Sequence, residues 1–483
     1  MINFQPISNV LGALLGLLGL LMVLVGLGFY VIEDSTLWTF GKSGVLTMFV
    51  GLLLYVIPFG TQKNVNKREG YLIVALAWFS MVTFGSLPYY FSDVCTQFSD
   101  MFFESVSGFT TTGATIFEDI ESLPSSILLW RSLTQWIGGM GIIVLTVAIL
   151  PLLGIGGIQL FAAEAPGPTS DKIHPRIQGT AKRLWLIYVA LSMLLIVILY
   201  FEGMTAFDAL NHGLTTMATG GFSTKNNSIA FYNSPLIQYT ICLFMLLAGT
   251  NYSVIYFGLR GRFKNVWKND EFRFYVLIVA MFTLLITAGI IHRSDFSLEE
   301  SFRGALFQVI SIITTTGYIT LDYTIFSPFV TIAFFIMLFV GACAGSTSGG
   351  IKLIRHLVLI KNTYFEFRRI LHPRAIIRVK MNKELVAPRI LTHILVFLLI
   401  YLATFVFGTL LVATLDMDFL SAAGAVATSL GNVGPGIGSV GPVNNFAHVD
   451  WLAKFILGVI MLLGRLELFT VLVLFTPFFW KNN

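Results

Sequence analysis

Charge is what this 483-residue chain has least of. Asp, Glu, Lys and Arg make up 11% of it, whereas a soluble globular domain carries roughly 25%. So few charges cannot cover a water-facing surface. This excludes an ordinary soluble enzyme and implies a surface that faces lipid. Cysteine is nearly absent too. Cys95, Cys242 and Cys343 are far apart and lie in or near apolar runs, which argues against a disulfide framework or a metal cluster. The first six residues, Met1-Ile2-Asn3-Phe4-Gln5-Pro6, hold no basic residue, and the apolar run after them is long enough to span, so no cleavable signal peptide is expected. No G-x-x-x-x-G-K-[ST] segment occurs, so the chain is expected to hold no nucleotide in a P-loop of its own. Net charge is a mild +5, and no nucleic-acid partner is expected.

Apolar residues are abundant instead: 56% of the chain, with 44 Phe and 44 Gly. Glycine permits the close backbone approach that membrane helices use. A helix needs about 20 apolar residues to span a bilayer. About ten such runs occur, near 9–31, 43–60, 71–91, 127–152, 184–202, 235–258, 273–292, 327–360 (interrupted), 387–413 and 452–477. Shorter, more polar segments near 97–110, 205–217, 299–314 and 418–431 fit re-entrant half-helices. Lys and Arg set the orientation. They cluster at Lys63, Lys67 and Arg68; at Lys172, Arg176, Lys182 and Arg183; at Arg260, Arg262, Lys264, Lys268 and Arg273; and in the longest loop, from Lys361 to Lys383. The opposite loops are acidic or nearly neutral: Glu33 and Asp34; Glu118, Asp119 and Glu121; Asp416 and Asp418. The basic loops and both termini are therefore expected in the cytoplasm. These loops could bind anionic lipid headgroups or dock a soluble partner.

The pattern span–half-helix–span occurs four times after two extra spans. The expected divisions are 1–62 (two N-terminal spans), then pore repeats at 63–165, 166–262, 263–362 and 363–483. A glycine-containing turn follows each half-helix: Thr110-Thr111-Thr112-Gly113-Ala114, Ala218-Thr219-Gly220-Gly221-Phe222, Thr314-Thr315-Thr316-Gly317-Tyr318 and Gly431-Asn432-Val433-Gly434-Pro435. The aligned glycines are Gly113, Gly221, Gly317 and Gly434, separated by 108, 96 and 117 positions. One such turn reads as a helix C-cap; four in equivalent contexts read as a repeat. Irregular backbone at membrane depth is tolerated where protein buries it or water lines it. Four turns around one axis can aim carbonyls at a central file of ions, which is how potassium filters replace a hydration shell. The expected potassium-binding groups belong to Thr111, Thr112, Thr219, Gly220, Thr315, Thr316, Asn432 and Val433. The half-helices would direct their negative C-terminal ends at the centre, favouring a cation.

The eighth run is broken by Gly341-Ala342-Cys343-Ala344-Gly345-Ser346-Thr347-Ser348-Gly349-Gly350. Four glycines and three hydroxyls make a poor helix, so a loop that can block or clear the pore is expected; the alternative is a Gly345-xxx-Gly349 packing face. Lys352 either adds a cation near this loop or snorkels to the cytoplasmic face. Arg465 lies inside the last apolar run, and an intramembrane charge marks a functional site by default. Glu467, two residues on, points another way. Nine residues before their glycines stand Glu104 and His212. Glu104 adds negative charge at the outer mouth or hydrogen-bonds the turn; His212 packs in the half-helix shell or takes part in proton coupling. Gly436-Ile437-Gly438-Ser439-Val440-Gly441 matches a dinucleotide fingerprint but lacks the βαβ setting.

These segments resemble the TrkH family of the Trk/Ktr/HKT potassium transporters across essentially the whole chain. The resemblance rests on Phe102-Phe103-Glu104-Ser105 through Thr112-Gly113-Ala114-Thr115, Gln135-Trp136-Ile137-Gly138-Gly139-Met140-Gly141, Gly220-Gly221-Phe222-Ser223-Thr224, Gly341 to Thr347, and Gly464-Arg465-Leu466-Glu467. It implies an all-α membrane protein with a pseudo-four-fold pore and no enzymatic activity. It also implies potassium uptake across the bacterial inner membrane, a gating loop at Gly341–Gly350 assisted by Arg465, a homodimer, and control by a cytoplasmic nucleotide-binding ring of the TrkA (RCK) type. Some sodium-transporting relatives carry Ser at the first filter glycine; here all four are Gly, which favours potassium. The fourth turn departs from the pattern with Asn432-Val433. The rival readings are the potassium-binding subunit of a multi-subunit ATPase and a proton- or sodium-coupled symporter.

Overall fold

The computed structural model describes residues 2–30, 36–57, 66–141, 177–375 and 377–481. Glu33, Asp34, Lys63, Lys172, Arg176 and the second half of the expected fourth span lie outside the described residues. Among the described residues every regular element is a helix but for one hairpin. In that hairpin Lys380–Met381 pairs antiparallel with Glu384–Leu385. Asn382 and Lys383 join the strands, both at positive φ, the backbone of a tight primed turn.

Among the described residues, six helices are long and apolar enough to cross a membrane, including Phe4–Phe29, Thr36–Val56, Asp270–Ile291 and Pro388–Ala413. The first two pack backbone to backbone. A Cβ on Gly12 would stand 2.5 Å from the Gly51 carbonyl, and one on Gly19 2.6 Å from that of Gly44. Two small residues seven apart on each helix thus form one interface.

Two expected spans are not straight. The run 235–258 is Pro235–Ala248 and Tyr252–Leu259, bent by 110°. The break falls at Gly249-Thr250-Asn251, where the Asn251 side chain caps the second helix by accepting from Ser253 N (2.8 Å). The run 452–477 is Trp451–Arg465 and Phe469–Phe475, bent by 105°. Glu467 and Leu468 there have positive φ, which ends a right-handed helix. Arg465 is therefore the last residue before a break, and not the interior of a continuous span.

The four half-helices are Phe98–Phe109, Ala206–Met217, Leu298–Ile313 and Phe419–Gly431, within a residue of expectation. At 12 to 16 residues they reach about 18–24 Å, short of the roughly 30 Å hydrocarbon layer. Three of the four starts carry a side-chain cap: Thr205 Oγ1 accepts from Asp208 N, Ser297 and Glu300 form a reciprocal capping box, and Asp418 accepts from Ser421 N.

Candidate functional site

Each half-helix ends the same way. The residue two before the glycine is left-handed: Thr111, Thr219, Thr315 and Asn432, with φ of 55°, 53°, 56° and 53°. Its N–H donates three residues back, to Gly108, Thr216, Ile312 and Ser429. The next N–H donates five residues back: Thr112 to Ser107 (2.9 Å), Gly220 to Thr215 (2.9 Å), Thr316 to Ser311 (2.8 Å) and Val433 to Thr428 (3.0 Å). This is a Schellman-like closure of the last carbonyls. Gly113, Gly221, Gly317 and Gly434 follow at φ of 84°, 76°, 80° and 102°, a region only glycine adopts freely.

The four turns close into a ring. A Cβ on Gly113 would lie 2.2 Å from the Gly220 carbonyl oxygen, one on Gly221 1.9 Å from that of Thr316, one on Gly317 2.1 Å from that of Val433, and one on Gly434 2.7 Å from that of Thr112. The order runs one, two, three, four and back to one. Each glycine leaves room for a carbonyl of the next repeat, so none can carry a side chain without backbone movement. Asn432 departs from Thr in sequence but not in conformation. Its Nδ2 donates to Thr112 Oγ1 (3.0 Å) and the Met461 carbonyl (2.9 Å), tying the fourth repeat to the first.

The legs that leave the turns are braced from the ninth residue before the glycine. Glu104 accepts from Thr115 Oγ1 and from Ile116 N (3.0 Å). It is fully buried against Arg131 Nε at 2.8 Å, and Arg131 reaches on to the Ser223 carbonyl and sits 4.0 Å above the Phe222 ring. His212 bonds Ser223 Oγ (2.9 Å) and the Asp208 carbonyl (2.8 Å). Gln308 donates to the Leu321 carbonyl (2.9 Å). The fourth repeat has Ala425 in this place and packs backbone directly: a Cβ on Gly424 would lie 2.6 Å from the Ile437 carbonyl. The Gly436–Gly441 segment is therefore an outgoing leg. At the surface, Asp119 accepts from Asn226 Nδ2 (2.9 Å), and this bond holds its carboxyl below the usual carboxylate range.

Gln135 clamps the second turn, donating from Nε2 to the Gly220 carbonyl (2.6 Å) and accepting from Phe222 N (3.1 Å). Gly138 lets its helix approach so closely, since a Cβ there would meet the Phe109 carbonyl at 1.8 Å. Gln308, Arg131 and the clamping role of Gln135 escape sequence reasoning, although the nine-residue spacing shared with Glu104 and His212 would find Gln308.

The Gly341–Gly350 loop lies against the left-handed residues at the half-helix end of this ring. Its neck is pinched by Gly341 N to the Ile351 carbonyl and Leu353 N to the Ala342 carbonyl. Gly349 N donates to Thr315 Oγ1 (2.7 Å), and Thr219 Oγ1 to Thr347 Oγ1 (3.3 Å). A Cβ on Gly349 would be 2.8 Å from that of Asn432. The loop thus touches the left-handed residues of three repeats. Both broken spans hold it: Cys343 N donates to the Gly249 carbonyl and Tyr252 N to the Gly345 carbonyl, while Arg465 donates to the carbonyls of Thr347 (2.9 Å) and Gly138 (2.7 Å). Lys352 Nζ bonds the Ser348 carbonyl and hydroxyl, so it turns to the loop and not to the membrane surface. Ser346 Oγ bonds Ser348 Oγ (2.8 Å). Glu271, unforeseen from sequence, accepts from Ala344 N (2.7 Å). Glu467 pairs with Arg355.

Comparison with known proteins bears on the same segments. The family model described as "TrkH: Cation transport protein" matches residues 39–482. The Trk system potassium uptake protein TrkH of Salmonella typhimurium is 40% identical over 99% of this chain and 100% of its own. The Escherichia coli K12 protein of that name is also 40% identical, with the same coverage. The crystal structure of the potassium transporter TrkH from Vibrio parahaemolyticus superposes with a TM-score of 0.88 at 36% identity, covering 99% of this chain and 100% of that one. With a family model across most of the chain and full-length relatives at this identity, the chain belongs to the TrkH family of cation transport proteins.

Proposed function

We propose that this chain takes up potassium across the bacterial inner membrane. The ring of four glycine turns is its selectivity filter, with Thr112, Gly220, Thr316 and Val433 presenting carbonyls to the ion. The observation that carries this reading is the cyclic closure, in which each glycine makes room for the next repeat's carbonyl. A closed ring of backbone oxygens suits a dehydrating monovalent cation, and the half-helix C-termini add negative potential. Relatives named as Trk system potassium uptake proteins support the choice of ion. The loop Gly341–Gly350, with Lys352 and Arg465, is read as the gate. Its carbonyls and hydroxyls crowd the inner end of the ring, and two cations beside it oppose cation passage.

The basic loops face the cytoplasm in this reading, by the distribution of Lys and Arg. They are the surface for anionic lipid and for a nucleotide-binding regulatory ring of the TrkA type, with the chain acting as a homodimer and no chemistry of its own. Glu104 and His212 are both committed to bracing bonds, which favours uncoupled passage over a proton-coupled carrier. The test is potassium against sodium flux in proteoliposomes, for the protein and for Gly113→Ser. Selective potassium flux that relaxes toward sodium in the variant is expected. Flux that does not discriminate, and that the substitution leaves unaltered, would overturn the filter assignment. Absence of flux from both calls for the same assay with the regulatory ring added.

A further inference from the structure

On the basic side of the molecule is a cavity of about 970 Å³. Its wall carries Lys268, Arg273, Lys361, Arg378, Lys380 and Lys383 against one acid, Asp270. Asp270 is already shared between Arg273 (2.5 Å) and Lys361 (2.9 Å), so a cationic excess remains. Phe257, Trp267 and Phe365 line the same cavity, and Trp267 and nearby Phe263 are exposed. Cations beside aromatic surface suit a phosphate with apolar matter attached.

The cavity also touches the loop through two helices. Lys361 stands on helix Leu353–Leu371, which leaves the loop directly. Asp270 opens the helix whose next residue, Glu271, accepts from Ala344 N in the loop. A phosphate that drew Lys361 from Asp270 would act on both helices that hold the loop, on one at its first residue and on the other about two turns from its start.

We propose that this cavity binds a phosphate-bearing anion, and that the loop Gly341–Gly350 senses its occupancy. The second half rests on reading that loop as the gate. The first test is calorimetric titration of the full-length protein with short-chain phosphatidylglycerol and, separately, with inorganic phosphate. Charge-assisted bonds to phosphate are strong enough that the triple variant Arg378→Gln, Lys380→Gln, Lys383→Gln should bind at least about tenfold more weakly. The variant Arg293→Gln removes an exposed charge just past the far end of the helix that Asp270 opens, away from the cavity and the basic loops, and should bind as the parent does. Binding of both probes supports the site with either source of phosphate. Binding of the lipid alone supports it with a headgroup as the source. No binding, or equal loss in both variants, overturns it.

The second test compares potassium flux in vesicles of phosphatidylcholine with and without phosphatidylglycerol. A several-fold change in the parent that the triple variant abolishes supports the coupling; an unchanged parent overturns it and leaves the binding result standing. Loop variants that leave flux untouched would instead sink the gate reading, whatever the cavity binds.

Discussion

Two stretches of non-helical, glycine-rich backbone meet at the centre of this molecule, and they are held by opposite means. The four turns are locked locally. Each left-handed residue and each Schellman-like bond lies within its own segment, and each glycine abuts the neighbouring repeat's backbone. The loop Gly341–Gly350 has little such self-structure beyond its pinched neck and the bonds of the Ser346 hydroxyl to the Cys343 carbonyl and Ser348 Oγ. It is held largely by groups from elsewhere: Arg465, Glu271, Thr315 and the broken edge at Gly249. Backbone fixed by its own caps and by backbone neighbours has one conformation to choose. Backbone suspended from distant side chains can be released by moving them, which suits the proposed division between filter and gate.

Substitutions can break that comparison or sharpen it. The largest expected effect is that of Glu104→Ala, which leaves Arg131 buried without its ion-pair partner. It should cost about 3–5 kcal/mol, read as a lowered Tm in detergent; a stable variant would mean that the outer leg needs no brace. Arg465→Gln comes next. It removes charge-assisted bonds worth about 1.5–3 kcal/mol each, so basal potassium flux should rise about tenfold or more with selectivity intact. Lost selectivity would mean that the loop shapes the filter. Gly221→Ala places a methyl against the Thr316 carbonyl at positive φ, with strain of about 1–3 kcal/mol. It should collapse potassium-over-sodium discrimination while flux persists. The smallest and sharpest test is a matched pair of hydroxyl deletions, each about 1 kcal/mol. Ser311→Ala loses the bond to the Tyr318 carbonyl (2.7 Å) and should shift selectivity, whereas Ser346→Ala should shift only the frequency of opening. The same response from both would erase the distinction.

The sequence by itself determined the membrane class, because composition fixes which solvent the surface can face. It also determined the four half-helices and their glycines, because cap residues, short apolar length and the left-handed turn are properties of a few consecutive residues. Asn432 kept the backbone of the Thr it replaces, since Asn tolerates that conformation well. Tertiary structure alone decided the cyclic order of the turns, the breaks at Gly249–Asn251 and Glu467–Leu468, and the hold of Glu271 on the loop. Those depend on contacts between residues about seventy or more apart in sequence. An apolar run reads the same whether its helix continues or bends to make room for a neighbour, and only the neighbour, once packed, says which.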